Sequence, residues 1–315
     1  MPIKDIESQL FKNKHLNKVF SLFKSIGNGK FWIGFLLEIV LVIVIFVINI
    51  FWENHWFNLV ITSFNLLLFA YVMNKCVEGI ADRSNNFLTG LINNMGGNIA
   101  ELFAVIIFMK SDQALLAGFT IIGSSISTVM IVPALAAIIS IFRNANDTNE
   151  ENLENEDDKN AKKRLIELII LILLFAITCA GFYFVGEIFS DSLQKTPLSE
   201  RLAFVGIFFT PAMLDVPEHL NTISLFVKNT DLAMITSFGS SCQILGFVYP
   251  VGTLISVGLG ANPNIPFPPD FVGIYFLVLI LAYNIINDGK FTLHEGLALF
   301  TTTAMVGVYS FFRVV

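Results

Sequence analysis

The chain has 315 residues, of which 55% are hydrophobic and 14% charged, and its mean hydropathy is +0.71. These values exclude an ordinary soluble domain, because several apolar runs reach the roughly 20 residues that a helix needs to cross about 30 Å of hydrocarbon. The net charge of −6 gives no reason to expect a nucleic-acid partner, since much of the acid lies in one loop. The expected partner is a lipid bilayer.

The apolar runs predict an all-α polytopic membrane fold with about nine transmembrane helices. Their approximate ranges are 32–52, 56–79, 87–109, 113–142, 164–189, 202–227, 231–260, 271–286 and 291–312. The fourth and seventh are longer than one crossing needs, which predicts that they are tilted or broken.

Lysine and arginine predict the orientation of these helices. With the N-terminus in the cytosol, 15 of these side chains lie on the cytosolic side and 4 on the opposite side, which accounts for all 19. The positive-inside rule therefore predicts a cytosolic N-terminus. The pattern does not distinguish the plasma membrane from a vacuole-type organelle.

Two glutamates lie inside apolar stretches with similar surroundings, Glu101 in GGNIAELFAVIIFMK and Glu218 in MLDVPEHLNTISLFVK. About twenty residues after each comes GSS, at Ser124–Ser125 and Ser240–Ser241. A carboxylate at mid-bilayer costs roughly 2.5–3.5 kcal/mol on insertion scales, so two of them in one repeated frame indicate a shared binding site. In the predicted orientation the two frames cross the membrane in opposite directions, which is typical of inverted repeats in secondary transporters.

These observations divide the chain into five parts. In order, they are a cytosolic N-terminal segment (1–31), a leading helix (32–55), a first repeat (56–142), a cytosolic acidic loop (143–163) and a second repeat (164–315). The N-terminal segment is either an interfacial amphipathic helix or a soluble tail. The acidic loop is interpreted as a solvated segment, with a weak Ca²⁺ sensor or a gate as the functional alternative.

Each frame predicts a helix break beside its carboxylate. Gly96 and Gly97 precede the first glutamate by a few residues, and Pro217 directly precedes Glu218. Glycine weakens a helix and proline removes a backbone donor, so carbonyl oxygens become free at both places. Carboxylate and carbonyl oxygens are the ligands that Ca²⁺ prefers, whereas zinc or copper would need more His or Cys.

Polar side chains near each glutamate extend the predicted site. Asn98 precedes Glu101 and Asp215 precedes Glu218 by three residues, so each pair shares one helix face. For Asp215, site lining and local hydrogen bonding are both open. His219 is either a proton acceptor or orienting partner for Glu218, or a satisfied core histidine. Because clustered carboxylates cannot all ionise cheaply in a low-dielectric site, cation binding should release protons.

The motifs resemble those of the calcium/proton exchangers, within the calcium/cation antiporter superfamily. GLINNMGGNIAELFAVI is similar to their first signature repeat, and PEHLNTISLFVKNTDLAMITSFGSSCQI is similar to the second. NDGKFTLHEGLALF resembles the stretch that opens the family's last helix. The resemblance implies that Glu101 and Glu218 are the central Ca²⁺ ligands. It also implies that Asn98, Ser124, Gln243 and the Ser240–Ser241 backbone line the same cavity.

The chain departs from the family pattern in three places. Asp215 stands where the family has asparagine, which changes the charge of the site. Thr128 stands where an asparagine is expected after the first GSS. The family also has two further helices between the first GSS helix and the acidic loop, whereas residue 143 leads directly into the insert here. The absent pair indicates a divergent or reduced exchanger.

The sequence therefore predicts a secondary active transporter that exchanges Ca²⁺ for H⁺ by alternating access, without a cofactor and with a homodimer left open. Glu101, Glu218 and His219 are expected to couple proton movement to cation movement. Na⁺-driven exchange, or transport of Mn²⁺ or another cation, is the nearest alternative. A non-transporting exchanger-like membrane protein is a further alternative, which the absent helix pair favours. An enzyme is not expected, since no nucleophile–base pair or catalytic metal motif is present.

Overall fold

The computed structural model describes residues 21–51, 54–84, 89, 92, 96–142, 161–228, 230–286 and 292–314. Most of these residues are helical, and no β-strand occurs in them. The α-helices are α1 (Gly29–Phe51), α2 (His55–Asp82), α3 (Ile99–Lys110), α4 (Ala114–Ile126), α5 (Val132–Phe142), α6 (Ala161–Gln194), α7 (Leu202–Phe204), α8 (Thr210–Leu214), α9 (Val216–Lys228), α10 (Thr230–Gln243), α11 (Tyr249–Gly258), α12 (Pro269–Ile286) and α13 (Leu293–Phe312).

Some helical stretches are long and apolar enough to cross a membrane. In the described part of the chain there are five: Gly29–Asn49, His55–Asp82, Ala114–Ala137, Arg164–Gln194 and Ala233–Gly258. A shorter apolar helix covers Pro269–Ile285. The predicted count of nine stays a prediction, because parts of the third span lie outside the described residues and the sixth is divided into short helices.

Several sequence predictions fall wholly or partly outside the described residues. The acidic loop lies there up to residue 160, as do residues 1–20 of the N-terminal segment and 287–291 of the stretch that precedes α13. The predicted start of the last helix is confirmed: Thr292 caps α13 by accepting the Glu295 backbone N–H, while the Glu295 carboxylate accepts from the Thr292 backbone.

Helices α1, α2 and α6 form one side of the fold, with α2 packed along both neighbours. Large apolar side chains on the outer faces of α1 and α6 are exposed, including Ile33, Leu36 and Leu173. These faces suit contact with lipid rather than water. At one end of the layer, the Arg83 Nε atom lies 3.0 Å from a Glu167 carboxylate oxygen and ties α2 to α6.

Both GSS helices are interrupted by a π-helical turn shortly after the serines. Residues Ser127–Ile131 form this turn between α4 and α5, and residues Ile244–Val248 form it between α10 and α11. A third π-helical turn, Val205–Phe209, precedes α8. Such turns insert one residue into the helical ladder and often accompany functional sites.

Close packing brings the first GSS helix against the second half of the chain. Gly123 on α4 faces the backbone of the Val205–Phe209 turn, and an added Cβ atom would lie 2.5 Å from the Ile207 Cα atom. Gly206 faces α4 in turn, against Phe119. Glycine is needed here because a side chain would force the two backbones apart. This contact positions the two predicted motifs next to each other.

Candidate functional site

Both predicted helix breaks are present, and each places a glutamate in the first turn of a short helix. The first break lies at Asn98, and α3 begins at the next residue with Glu101 in its first turn. The second lies at Asp215, between α8 and α9, with Glu218 in the first turn of α9. The N-terminus of a helix carries partial positive charge, so both glutamates occupy positions that favour a negative group.

Each break is hydrogen-bonded to a GSS serine from the other half of the chain. The Ser240 hydroxyl donates to the Asn98 Oδ1 atom at 3.0 Å, and the Ser124 hydroxyl donates to the Asp215 Oδ1 atom at 3.2 Å. The Asn98 amide also donates to the Gln243 Oε1 atom at 3.0 Å. Asn98 and Asp215 thus make equivalent contacts, each with a serine of the opposite half. The motifs of both halves therefore meet in one site.

Three carboxyl groups lie together in this site. Those of Glu101 and Asp215 are direct neighbours, and Glu218 interacts electrostatically with both. Among the described residues, both Glu101 carboxylate oxygens and the Asp215 Oδ2 atom are buried and have no hydrogen-bond partner. Buried carboxylate oxygens without donors are costly, so these atoms are available to a proton or a cation. Within the described residues, no group of three or more His, Cys, Asp or Glu side chains is already arranged around a single metal position.

The other predicted residues divide between the site and its surroundings. The His219 Nε2 atom lies 3.2 Å from the Ser127 hydroxyl and 3.9 Å from Asp215, so the histidine borders the carboxyl cluster. The Ser241 hydroxyl instead lies 3.4 Å from the Tyr275 hydroxyl, on another side of α10.

Two contacting residues were not predicted from the sequence. Ser127 follows the first GSS by two residues, and a hydroxyl residue so close to that motif was the available signal. In the structure it lies on the π-helical turn. Tyr275 lies in an apolar run of α12 that contains nothing to distinguish it. Both residues reach the site region only through tertiary packing.

The residues of the site differ in exposure. Glu101 and Asp215 are 2% and 1% exposed, whereas Glu218, Gly97 and Gln243 are partly exposed. Gly97 faces the Glu218 carboxyl group, and an added Cβ atom would lie 3.8 Å from its Cδ atom. The Glu218 side is therefore the more exposed side of the cluster.

Two further acids in apolar helices have partners outside this cluster. Glu38 on α1 accepts a hydrogen bond of 3.1 Å from the Thr178 hydroxyl. Glu187 on α6 lies 3.5 Å from the Lys110 Nζ atom in an exposed ion pair. These contacts connect helices and do not extend the site.

Several curated proteins are similar to part of the chain. A Ca(2+)/H(+) antiporter of Synechocystis is 29% identical over 128 residues, which cover 40% of this chain and 33% of that protein. A Ca(2+)/H(+) antiporter of Aphanothece halophytica is 31% identical over 131 residues, covering 40% of this chain and 35% of that protein. The chain thus spans about a third of the length of these curated relatives.

Solved structures share the fold over a much larger part of the chain. The structure of native YfkE has a TM-score of 0.71 at 17% identity and covers 89% of this chain and 100% of that chain. The crystal structure of the selenium-substituted Ca2+/H+ antiporter protein YfkE has a TM-score of 0.70 at 16% identity and covers 91% of this chain and 100% of that chain. At these identities, the likeness shows the fold alone.

A family model matches the chain twice. The model describes the sodium/calcium exchanger protein, and its matches cover residues 32–188 and 170–312. One match contains Glu101 and the other contains Glu218. Since the two matches together cover most of the sequence, the chain belongs to the sodium/calcium exchanger protein family.

Proposed function

We propose that this protein is a secondary active transporter that exchanges Ca²⁺ for H⁺ across a membrane, with Glu101 and Glu218 as the central ligands. The family membership and the antiporter relatives support cation exchange. The observation that carries the proposal is the site formed by both halves of the chain. In it, carboxylate oxygens of Glu101 and Asp215 are buried without a hydrogen-bond partner among the described residues, near the first turns of α3 and α9. Hard oxygen ligands of this kind suit Ca²⁺.

The remaining predicted ligands surround these two glutamates. Asp215 supplies a further oxygen beside Glu101, and Asn98 and Gln243 supply amide oxygens on the Glu218 side. The hydroxyls of Ser124 and Ser240 hold the two breaks in place. His219, next to Asp215, completes the proton-coupling set together with the glutamates.

Proton coupling follows from the charge balance of the site. Three carboxylates in a low-dielectric site repel one another, so protons are retained while no cation is bound. A dication replaces those protons, because its charge compensates the carboxylates directly. Exchange then needs only that the loaded site opens alternately to the two sides.

Two repeats of inverted orientation would provide this alternating access. The exchanged contacts of Asn98 with Ser240 and of Asp215 with Ser124 are what a twofold relation between the halves would produce. The family model also matches each half separately. In transporters built in this way, one bundle moves against the other around a fixed site.

The deciding experiment is Ca²⁺ uptake into vesicles that contain the purified protein, driven by an imposed pH gradient. We expect uptake with the gradient and none after a protonophore has collapsed it. Uptake that persists without a pH gradient but depends on a Na⁺ gradient would instead establish Na⁺-driven exchange. Replacing Ca²⁺ by Mn²⁺ in the same vesicles compares the two cations directly.

A non-transporting exchanger-like protein is the second candidate, and the short first half of the chain favours it. The chain passes from the first GSS helix and its π-helical turn into α5, which ends at Phe142 just before the predicted acidic loop. Equilibrium Ca²⁺ binding in detergent together with absent transport under every gradient would support this candidate and contradict exchange.

A further inference from the structure

Glu78 on α2 is a fourth carboxylate, and it is bonded to a residue one helical turn after Glu218. Its Oε1 atom accepts a hydrogen bond of 2.9 Å from the Asn221 side chain. Asn221 follows Glu218 by three residues on α9, so the two side chains are neighbours on one helix face. The Glu78 carboxylate is therefore held one turn of α9 away from Glu218, and both side chains are partly exposed.

The segment around Glu78 also contacts the first helix break. Val77 packs directly over Gly96, where an added Cβ atom would clash with the Val77 methyl groups. One short stretch of α2 thus touches the glycines that precede Asn98 and, through Glu78, the half-helix that bears Glu218. This stretch therefore lies next to both halves of the site.

Glu78 is paired with a cation that is easily displaced. Its Oε2 atom lies 2.5 Å from the Lys75 Nζ atom, and the two side chains are 35% and 33% exposed. Exposed ion pairs of this kind contribute only about 0–1 kcal/mol. A dication attracts a carboxylate more strongly than a single ammonium group does, so it can replace Lys75 beside Glu78.

We propose that Glu78 is an outer loading residue, which receives the incoming divalent cation in place of Lys75 and passes it to Glu218. This inference rests on the proposed function. Lys75 then competes with the cation for the Glu78 carboxylate, and Asn221 fixes that carboxylate within one turn of Glu218. Glu78 acts on approach to the site, whereas Glu101 and Glu218 hold the ion.

The test is the KM for Ca²⁺, measured at low ionic strength in vesicles whose outer face is the one that Lys75 and Glu78 line. We expect Glu78→Gln to raise the KM about 3- to 10-fold with little change in the maximal rate, because the steering charge is lost. Lys75→Gln is expected to lower the KM about twofold, because the competing cation is removed. Both effects should shrink at high salt.

The opposite signs separate this role from a structural one. If the pair only stabilises α2, both variants will change transport in the same direction, and the proposal is wrong. Asp191→Asn is the matched control, since Asp191 on α6 forms an exposed pair of 2.8 Å with Lys195. A wild-type KM in Glu78→Gln, alongside inactive Glu218→Gln, would reject the loading role and leave the exchanger function intact.

Discussion

The two helix breaks, at Asn98 and at Asp215, have the same hydrogen-bonding frame and different surroundings. Each accepts a hydrogen bond from a GSS serine of the opposite half, at 3.0 and 3.2 Å. Yet the first carries a neutral amide that bonds to Gln243, whereas the second carries a carboxylate next to His219. The two breaks therefore have the same hydrogen bond to a GSS serine but differ in the charge of the residue that accepts it.

The packing of the two GSS helices differs as well. Within Ala114–Ala137, 89% of the most apolar stretch is buried, against 28% within Ala233–Gly258. Gly123 is pressed against the Ile207 backbone, while its counterpart Gly239 has no atom of the described residues close to the position of an added Cβ. The first GSS helix is thus held inside the fold, whereas the second has a less covered surface.

The largest expected effect comes from removing either central carboxylate. Glu101→Gln and Glu218→Gln should each lower pH-driven Ca²⁺ uptake by at least about 100-fold, because outer-shell partners of metal ligands alone are worth 10–100-fold. Glu38→Gln is the control, since Glu38 is also buried in an apolar helix but bonds to Thr178. Uptake at the wild-type rate in either site variant, or a loss in Glu38→Gln as large as theirs, would contradict the assignment.

The packing difference predicts that glycine-to-alanine substitution lowers the free energy of unfolding by different amounts at the two GSS glycines. Gly123→Ala should lower the free energy of unfolding by about 1–3 kcal/mol, because its methyl group meets backbone atoms that cannot move aside. Gly239→Ala should change it by less than about 0.5 kcal/mol. Thermal unfolding of both variants in detergent measures this, and equal losses would show that the two helices are packed alike.

The charge difference predicts that Asp215 and Asn98 can be exchanged. Asp215→Asn should raise the KM for Ca²⁺ about 10-fold, because one carboxylate is removed from the cluster. Adding Asn98→Asp should recover most of this loss, since the Asn98 side chain occupies the matching place. Initial rates of uptake over a range of Ca²⁺ concentrations test both variants. A double variant no better than Asp215→Asn would show that the positions are not equivalent.

The smallest effect on transport is expected from the GSS serines that donate hydrogen bonds to the two helix breaks. Ser240→Ala removes one hydrogen bond to Asn98 and should raise the KM about 2- to 5-fold, which corresponds to a net bond of about 0.5–1 kcal/mol. Ser256→Ala is the control, because the Ser256 hydroxyl bonds to the Gly252 carbonyl of its own helix, at 2.7 Å. An unchanged KM in Ser240→Ala would show that this serine does not hold the site.

Much of the candidate site was predictable because its signals are local. Glycine and proline act on their own helix, so the breaks beside Glu101 and Glu218 could be placed to within a residue or two. Asn98 precedes Glu101 by three residues and Asp215 precedes Glu218 by three, and this spacing predicts that each pair shares one helix face. Ser241 shows the limit of this reasoning, since it lies in the same motif as Ser240 but its hydroxyl turns toward Tyr275.

The sequence by itself determined that the chain is built of apolar helices and that two carboxylate-bearing breaks repeat in it, because composition and helix-breaking residues act over short distances. Only the tertiary structure decided that each break bonds to a serine from the other half, that Glu218 is more exposed than Glu101 and Asp215, and that Glu78 bonds to Asn221 on the helix of Glu218. These features depend on which helices pack together. That choice rests on close contacts such as Gly123 against Ile207, which no single stretch of sequence contains.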